Sequence, residues 1–126
     1  MTEFSFLWVS VASSGDEYFQ ISFAETEDSD RAYFLIQRQF ESFDGGLFYV
    51  ESHEPKLCGH FNIKRAELRR DTLRLQVACE PTETVQIRFQ ASSGRYSELK
   101  RVLKIMMPAR ILSIEPDPRW ERHTGR

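Results

Sequence analysis

His53, Cys58 and His60 place two imidazoles and a thiol within eight residues. Such donors bind zinc as neutral imidazole and thiolate, and a fourth ligand would have to come from Cys79 or a carboxylate. The spacing, His-x4-Cys-x-His, matches no closed zinc pattern, so a polar loop in which Gly59 permits the turn is the preferred reading. Glu51, His53 and Glu54 supply the groups of general acid–base catalysis: two carboxylates and an imidazole. That chemistry needs a cleft to shift their pKa values, and strand alternation would put Glu51 and His53 on one face with Glu54 off it. A solvated strand end accounts for them more simply. His53-Glu54 is followed by Pro55-Lys56-Leu57, which excludes the paired-histidine motif of zinc proteases. Ser92-Ser93-Gly94 lacks the lysine of a phosphate-binding loop and reads as a helix cap. No catalytic group, metal or cofactor is expected from these residues.

The elements that carry them have mostly the period of strands. Phe4, Phe6 and Trp8 alternate, as do Phe19, Ile21 and Phe23, then Leu73, Leu75 and Val77, then Val85, Ile87 and Phe89. Tyr33-Phe34-Leu35-Ile36 is a continuous apolar run suited to a central strand covered on both faces; Arg31, Gln37, Arg38 and Gln39 are the polar residues beside it. Asp44-Gly45-Gly46 is a turn before the aromatic strand Leu47–Glu51, and Glu67–Leu75 reads as a hairpin. One segment has a helical period: Tyr96, Leu99, Val102, Leu103 and Met106 form one stripe, capped by Ser92 or Ser93 and stopped by Pro108. Ile111, Leu112 and Ile114 suit a last edge strand. Strands followed by one late helix predict an α+β fold: a mostly antiparallel sheet of six to eight strands with a helix over about residues 94–107 packed on it. A single domain spans residues 1–126, with a loose tail over residues 115–126 in which Trp120 is the one large apolar residue.

A chain of 126 residues buries roughly two-thirds of its unfolded surface, enough to fold without staples. Ten Phe, four Tyr and two Trp offset an apolar fraction of 40%. Two cysteines make no disulfide framework, no basic signal region opens the chain, and no run approaches the ~20 apolar residues of a membrane span. A cytoplasmic location with reduced thiols is expected. The net charge of −2 conceals an asymmetry: residues 1–54 hold eleven acids and two bases, whereas residues 55–126 hold eight acids and fifteen bases. Acidic and basic strands pairing across one sheet would explain this; an acidic patch from Glu25, Glu27, Asp28 and Asp30 that draws in a basic partner is the sharper alternative. Lys64, Arg65, Arg69, Arg70 and Arg74 with Lys100, Arg101 and Lys104 could face nucleic acid, but a pI near 5.9 and the absence of a binding module argue against it.

Residues 33 to 107 resemble the immunity protein 10 family of bacterial polymorphic-toxin systems. Tyr33–Arg38 is similar to its early strand. Asp44-Gly45-Gly46 followed by Leu47–Glu51 is similar to its aspartate–glycine turn and glutamate-ended strand. Gly59 falls in its glycine-rich loop, and Glu67–Leu75 is similar to its most recurrent stretch. Val85-x-Ile87-x-Phe89 and the Leu99–Met107 helix complete the order. The loop Pro55–Cys58 is poorer in glycine than the family pattern, and the tail beyond Pro108 is longer. The resemblance implies a non-enzymatic protein that binds and neutralises a cognate toxin protein, with Asp44, Glu51, His53, Glu54 and His60 as the residues expected to meet that partner. No nucleic acid and no membrane are expected as partners. Two other readings compete: a homodimeric scaffold that pairs through an exposed sheet edge, and a small hydrolase or isomerase that uses Glu51 and His53.

Overall fold

Period-two alternation is realised in ten strands, and they divide between two sheets. The computed structural model describes residues 1–14, 18–26, 32–39 and 47–115. Asp44, its turn, Glu27, Asp28, Asp30, Arg31 and the tail with Trp120 lie outside the described residues. The first sheet holds β1 (Thr2–Ser5), β7 (Ile63–Leu68), β8 (Thr72–Val77), β9 (Glu83–Arg88) and β10 (Leu112–Ile114), in the order β1-β9-β8-β7-β10. The second holds β2 (Trp8–Ser14), β3 (Tyr18–Ala24), β4 (Tyr33–Gln39), β5 (Phe48–Ser52) and β6 (Gly59–Phe61), in chain order. The second sheet is wholly antiparallel. In the first, β1 and β10 run parallel to β9 and β7 at the two edges.

The expectation of one sheet of six to eight strands is corrected here. Each strand carries a single apolar face, and the lone helix α1 (Ser93–Met106) is only about 21 Å long at 1.5 Å per residue. It cannot cover ten strands, so the two apolar faces cover each other. Phe4 of β1 lies 5.7 Å from Phe34 of β4, and Phe23 of β3 lies between Phe6 and Phe89 at 6.3 and 5.6 Å. The Phe4-Phe6-Trp8 alternation is therefore not one strand. The chain leaves the first sheet at Ser5, buries Phe6, exposes Leu7 and enters the second sheet at Trp8.

The α+β class and the late helix hold. Leu99, Val102, Leu103 and Met106 are buried in the same core as both sheets, and Ser92 Oγ accepts the Arg95 N–H at the helix start. Arg95 also donates to Val9 O on the outer edge of β2 and lies 4.5 Å from the Trp8 ring, so one sheet edge is blocked by a side chain. The Tyr33–Ile36 run is central, as expected, but covered on one face: Phe34 and Ile36 are fully buried while Tyr33 and Leu35 are half-buried. A register shift between Ile63 and Arg65 reverses the alternation in β7, which buries Ile63 and Ala66 three positions apart.

The charge asymmetry also resolves differently from the expected cross-strand pairing. β2 to β5 come from the acidic half and β7 to β10 from the basic half, while β1 of the acidic half pairs with β9 and β6 of the basic half pairs with β5. The halves thus sort mostly by layer and meet across strands only at one edge of each sheet. Charge ties remain local, as in Arg69 with Glu67 and Glu115 at 2.9 and 2.5 Å. Glu83 of β9 joins the layers at one end: it accepts from Thr2 Oγ1 at 3.0 Å and lies 3.7 Å from Lys56 Nζ.

Candidate functional site

Alternation puts Phe34, Ile36 and Arg38 of β4 and Phe48, Val50 and Ser52 of β5 on the inner face of the second sheet. Their neighbours Tyr33, Leu35, Gln37, Tyr49 and Glu51 face outward. The register sets Leu35 opposite Glu51, Gln37 opposite Tyr49, and Tyr49 opposite His60. Tyr33 is thus diagonal to Glu51 across the strand pair, within reach of a long side chain. Tyr33 Oη donates to Glu51 Oε2 at 3.0 Å, and Tyr49 Oη donates to Glu51 Oε1 at 2.5 Å. One carboxylate is held from both sides by phenols.

This geometry acts on the phenols. Glu51 accepts their protons in hydrogen bonds, which favours the neutral hydroxyl, and desolvation works in the same direction. The Tyr49 hydroxyl is pushed up to about 12 from an ordinary 10.0, with the hydrogen bond to Glu51 as the main cause. Tyr33 is raised for the same reason. A raised phenol pKa strengthens the folded state below the ordinary tyrosine range, and that contribution fades as pH climbs from about 10 toward 12. In Glu51→Gln the Tyr49 titration, followed by tyrosinate absorbance, returns toward the ordinary value. An unchanged curve would mean that the hydrogen bond does not form in solution.

Four of the five expected partner residues fall in the described part, and two of them share this face. Glu51 lies on β5 between the two phenols, and His60 lies on the adjoining edge strand with its ring 5.3 Å from Tyr49. His53 sits just past the strand, where Nδ1 accepts the Tyr33 N–H at 3.0 Å and the ring meets Phe4 edge-on at 5.1 Å. It packs at the seam between the layers and makes no hydrogen bond or ion pair with Glu51. Glu54 belongs to the following turn, where its carbonyl accepts the Leu57 N–H.

Ser52 fixes that turn. It is the one buried polar residue among those described, at 4% exposure. Its hydroxyl accepts the Glu54 N–H and reaches the carbonyls of Glu54 and Leu57, all at 3.1 Å. Leu57, in a short 3-10 turn begun by Pro55, is thereby driven fully into the core. Gly59 follows with φ near +143°, a backbone region that a Cβ disfavours. Ser52→Ala should cost about 1–2 kcal/mol because it strands the Glu54 N–H and the Leu57 carbonyl. A denaturant midpoint equal to the parent would show that the turn does not depend on this hydroxyl.

The candidate metal ligands separate. Cys58 Sγ lies against the carbonyls of Ser52 and Glu54 at 3.2 and 3.6 Å, His53 turns to Tyr33, and His60 to Tyr49. Among the described residues no three His, Cys, Asp or Glu side chains are grouped to hold a metal ion. The basic residues take separate partners, although Arg69 and Arg74 line one surface concavity with Arg88, Glu67 and Asp71. Arg70 lies over Tyr96 and donates to Ala91 O, Arg74 donates to Gln86, and Lys64 to Thr82. No helix among the described residues is long and apolar enough to cross a membrane.

The two outer faces differ in composition. The outward strand positions of the first sheet carry Glu3, Glu67, Arg74 and Arg88, an ordinary solvated mixture of charges. On the second sheet the outward positions of the described strands carry Trp8, Ser10, Ala12, Tyr18, Gln20, Ser22, Ala24, Tyr33, Leu35, Gln37, Gln39, Tyr49, Glu51 and His60, with no lysine, arginine or aspartate. Tyr33, Tyr49 and Ser52 carry the local geometry, yet sequence reading gave them no role. The same-face spacing of Tyr49 and Glu51 was the available signal. Comparisons with protein-family models, with curated proteins and with solved structures return no match.

Proposed function

We propose that the chain is a non-enzymatic binding protein of the immunity type, which neutralises a cognate bacterial toxin by seating the outer face of the second sheet on it. The single observation behind this reading is the contrast between the two outer faces. A sheet face that meets only water gains solubility from charges of both signs, as Glu67, Arg74 and Arg88 of the first sheet illustrate. A face of tyrosine, glutamine and serine with one carboxylate has the makeup of a protein contact, where charge is depleted and tyrosine supplies rigid amphipathic area. The excess of acid in residues 1–54 would draw a basic protein toward the same layer. The likeness of Tyr33–Arg38, Leu47–Glu51 and Glu67–Leu75 to the immunity protein 10 family supplies the toxin as the partner class.

The test is protection. A tagged chain recovers its partner from native cells, and the partner's C-terminal region is then expressed with and without the chain. Survival only in the presence of the chain supports the reading; equal killing overturns it. Gln37→Lys, at the middle of the proposed face, should abolish protection. Gln86→Lys on the other sheet should leave it intact. If instead the isolated chain sediments at twice its mass and Gln37→Lys makes it a monomer, the face serves self-association and the toxin reading fails.

A further inference from the structure

We infer that Glu51, gripped by Tyr33 and Tyr49, is the receptor for a single basic side chain, a lysine or arginine, that a protein partner lays on the outer face of the second sheet. This rests on the protein-binding reading above and names the chemistry of its central contact.

Three observations converge on it. First, Glu51 is charged but uncompensated. Glu67, Glu83 and Glu115 each lie within 4 Å of a cationic nitrogen, whereas the described contacts of Glu51 are the two phenols alone. The rest of the described outward strand positions offer no lysine or arginine to reach it. Secondly, the carboxylate is held in place. One phenol binds each oxygen, which leaves about half of its lone-pair capacity open. The phenols stay neutral well above neutral pH, so they remain donors and add no competing charge. A receptor already held in one rotamer loses little entropy when the ligand arrives. Thirdly, the flanking groups are aromatic: Tyr33 and Tyr49 hold the carboxylate, and the His60 ring lies against Tyr49 on its far side from β4. A cation bound there meets ring faces as well as the carboxylate oxygens. A neutral or acidic side chain would gain neither.

Tyr33 and Tyr49 are positioning residues here, and their loss should act through the carboxylate. Glu51→Gln keeps the shape and the phenol contacts but removes the charge. Leu35→Lys is the complementary change. Leu35 stands directly opposite Glu51, so a lysine there places a cation of the chain's own in the receptor without disturbing the core.

The experiment is a titration of the intact chain with acetyl-lysine amide and acetyl-arginine amide, with acetyl-norleucine amide as the uncharged control. Binding is read from backbone and tyrosine NMR shifts. The expected result is a response centred on Tyr33, Tyr49 and Glu51 that Glu51→Gln, Leu35→Lys and the norleucine probe all abolish. Shifts of equal size at exposed carboxylates such as Glu80 and Glu98, or persistence in Glu51→Gln, would overturn the proposal. Thermal melts confirm that each variant is folded, and Leu35→Lys preserves the test if Glu51→Gln is not. With the recovered partner, Glu51→Gln should weaken binding by about 30-fold or more, the loss typical of truncating one member of a desolvated charge pair. Protection that stays intact in Glu51→Gln sinks this inference alone; protection absent in the parent chain sinks the toxin reading, while the probe titration still decides the receptor.

Discussion

Phe23→Ala should lower stability by about 3–5 kcal/mol, most of the margin of a domain held together by about 5–15 kcal/mol. The ring is fully buried and touches groups from three directions: Phe6 on the crossover between the sheets, Phe89 just past the end of β9, and the apolar lining of its own sheet. Removing it opens a void that rigid strands on both sides cannot close, so the cavity cost adds to the lost transfer energy. Leu35→Ala, one strand over but facing outward and only half-buried, should cost far less, on the order of 1 kcal/mol. Urea midpoints of the two variants measure the difference, with unchanged slopes confirming that both still unfold in one step. A single sheet covered on both faces would make the two losses alike. Near-equal midpoints would therefore sink the two-layer arrangement as well as the magnitude.

Alternation made the individual strands legible, because each side chain's face is fixed by counting in twos. Val85, Ile87, Leu73 and Leu75 are buried as that count requires, and the helical stripe from Leu99 to Met106 is buried for the analogous reason. What counting in twos does not carry is which faces meet. Phe4, Phe6 and Trp8 satisfy the pattern of one strand while belonging to two sheets, and the crossover at Leu7 reverses the parity, so that Val9 is buried and Trp8 faces outward. Edge pairings are equally silent in sequence: β1 finds β9 across more than eighty residues, and a parallel ladder leaves no turn to announce it. The candidate site divides in the same way. Glu51 and His60 were accessible as polar residues on or beside a strand, but the sequence did not reveal that two phenols hold Glu51, because Tyr33 reaches it from the neighbouring strand. His53 looked like a partner for Glu51 by spacing. The packing of its ring against Phe4, a residue of the other layer, takes it elsewhere. The charge asymmetry was visible, but its simplest explanation holds only at two edges, where β1 meets β9 and β6 meets β5. Most of the acidic half went to one layer and most of the basic half to the other, and the described outward strand positions of the second sheet carry Glu51 as their one carboxylate and no lysine or arginine.

Arg38→Met should cost about 2 kcal/mol even though it replaces a charged residue on an inward face by an apolar one of similar length. Simple hydrophobicity predicts a gain, so the sign is informative. Arg38 continues the inward series of Phe34 and Ile36, a place where a charge is expensive unless it is satisfied. The satisfaction comes from α1: Arg38 Nη1 donates to the carbonyl of Met106, the last helical residue, and the guanidinium lies 5.0 Å from the Phe48 ring. A cation at a helix C-terminus meets the negative end of the peptide dipoles and supplies a donor to a carbonyl that the helix itself leaves open. Methionine can fill the space and keep a contact with Phe48, but it donates nothing, so the Met106 carbonyl loses this hydrogen bond. Arg38→Lys should recover only part of the loss, because an ammonium cannot reproduce the planar stacking of guanidinium on Phe48. Equilibrium unfolding of the three chains orders them, and hydrogen exchange localises the effect: amides of the last helical turn should open more easily in the methionine variant while those of β8 do not. A methionine variant as stable as the parent would mean that the helix docks on the second sheet through its apolar stripe alone.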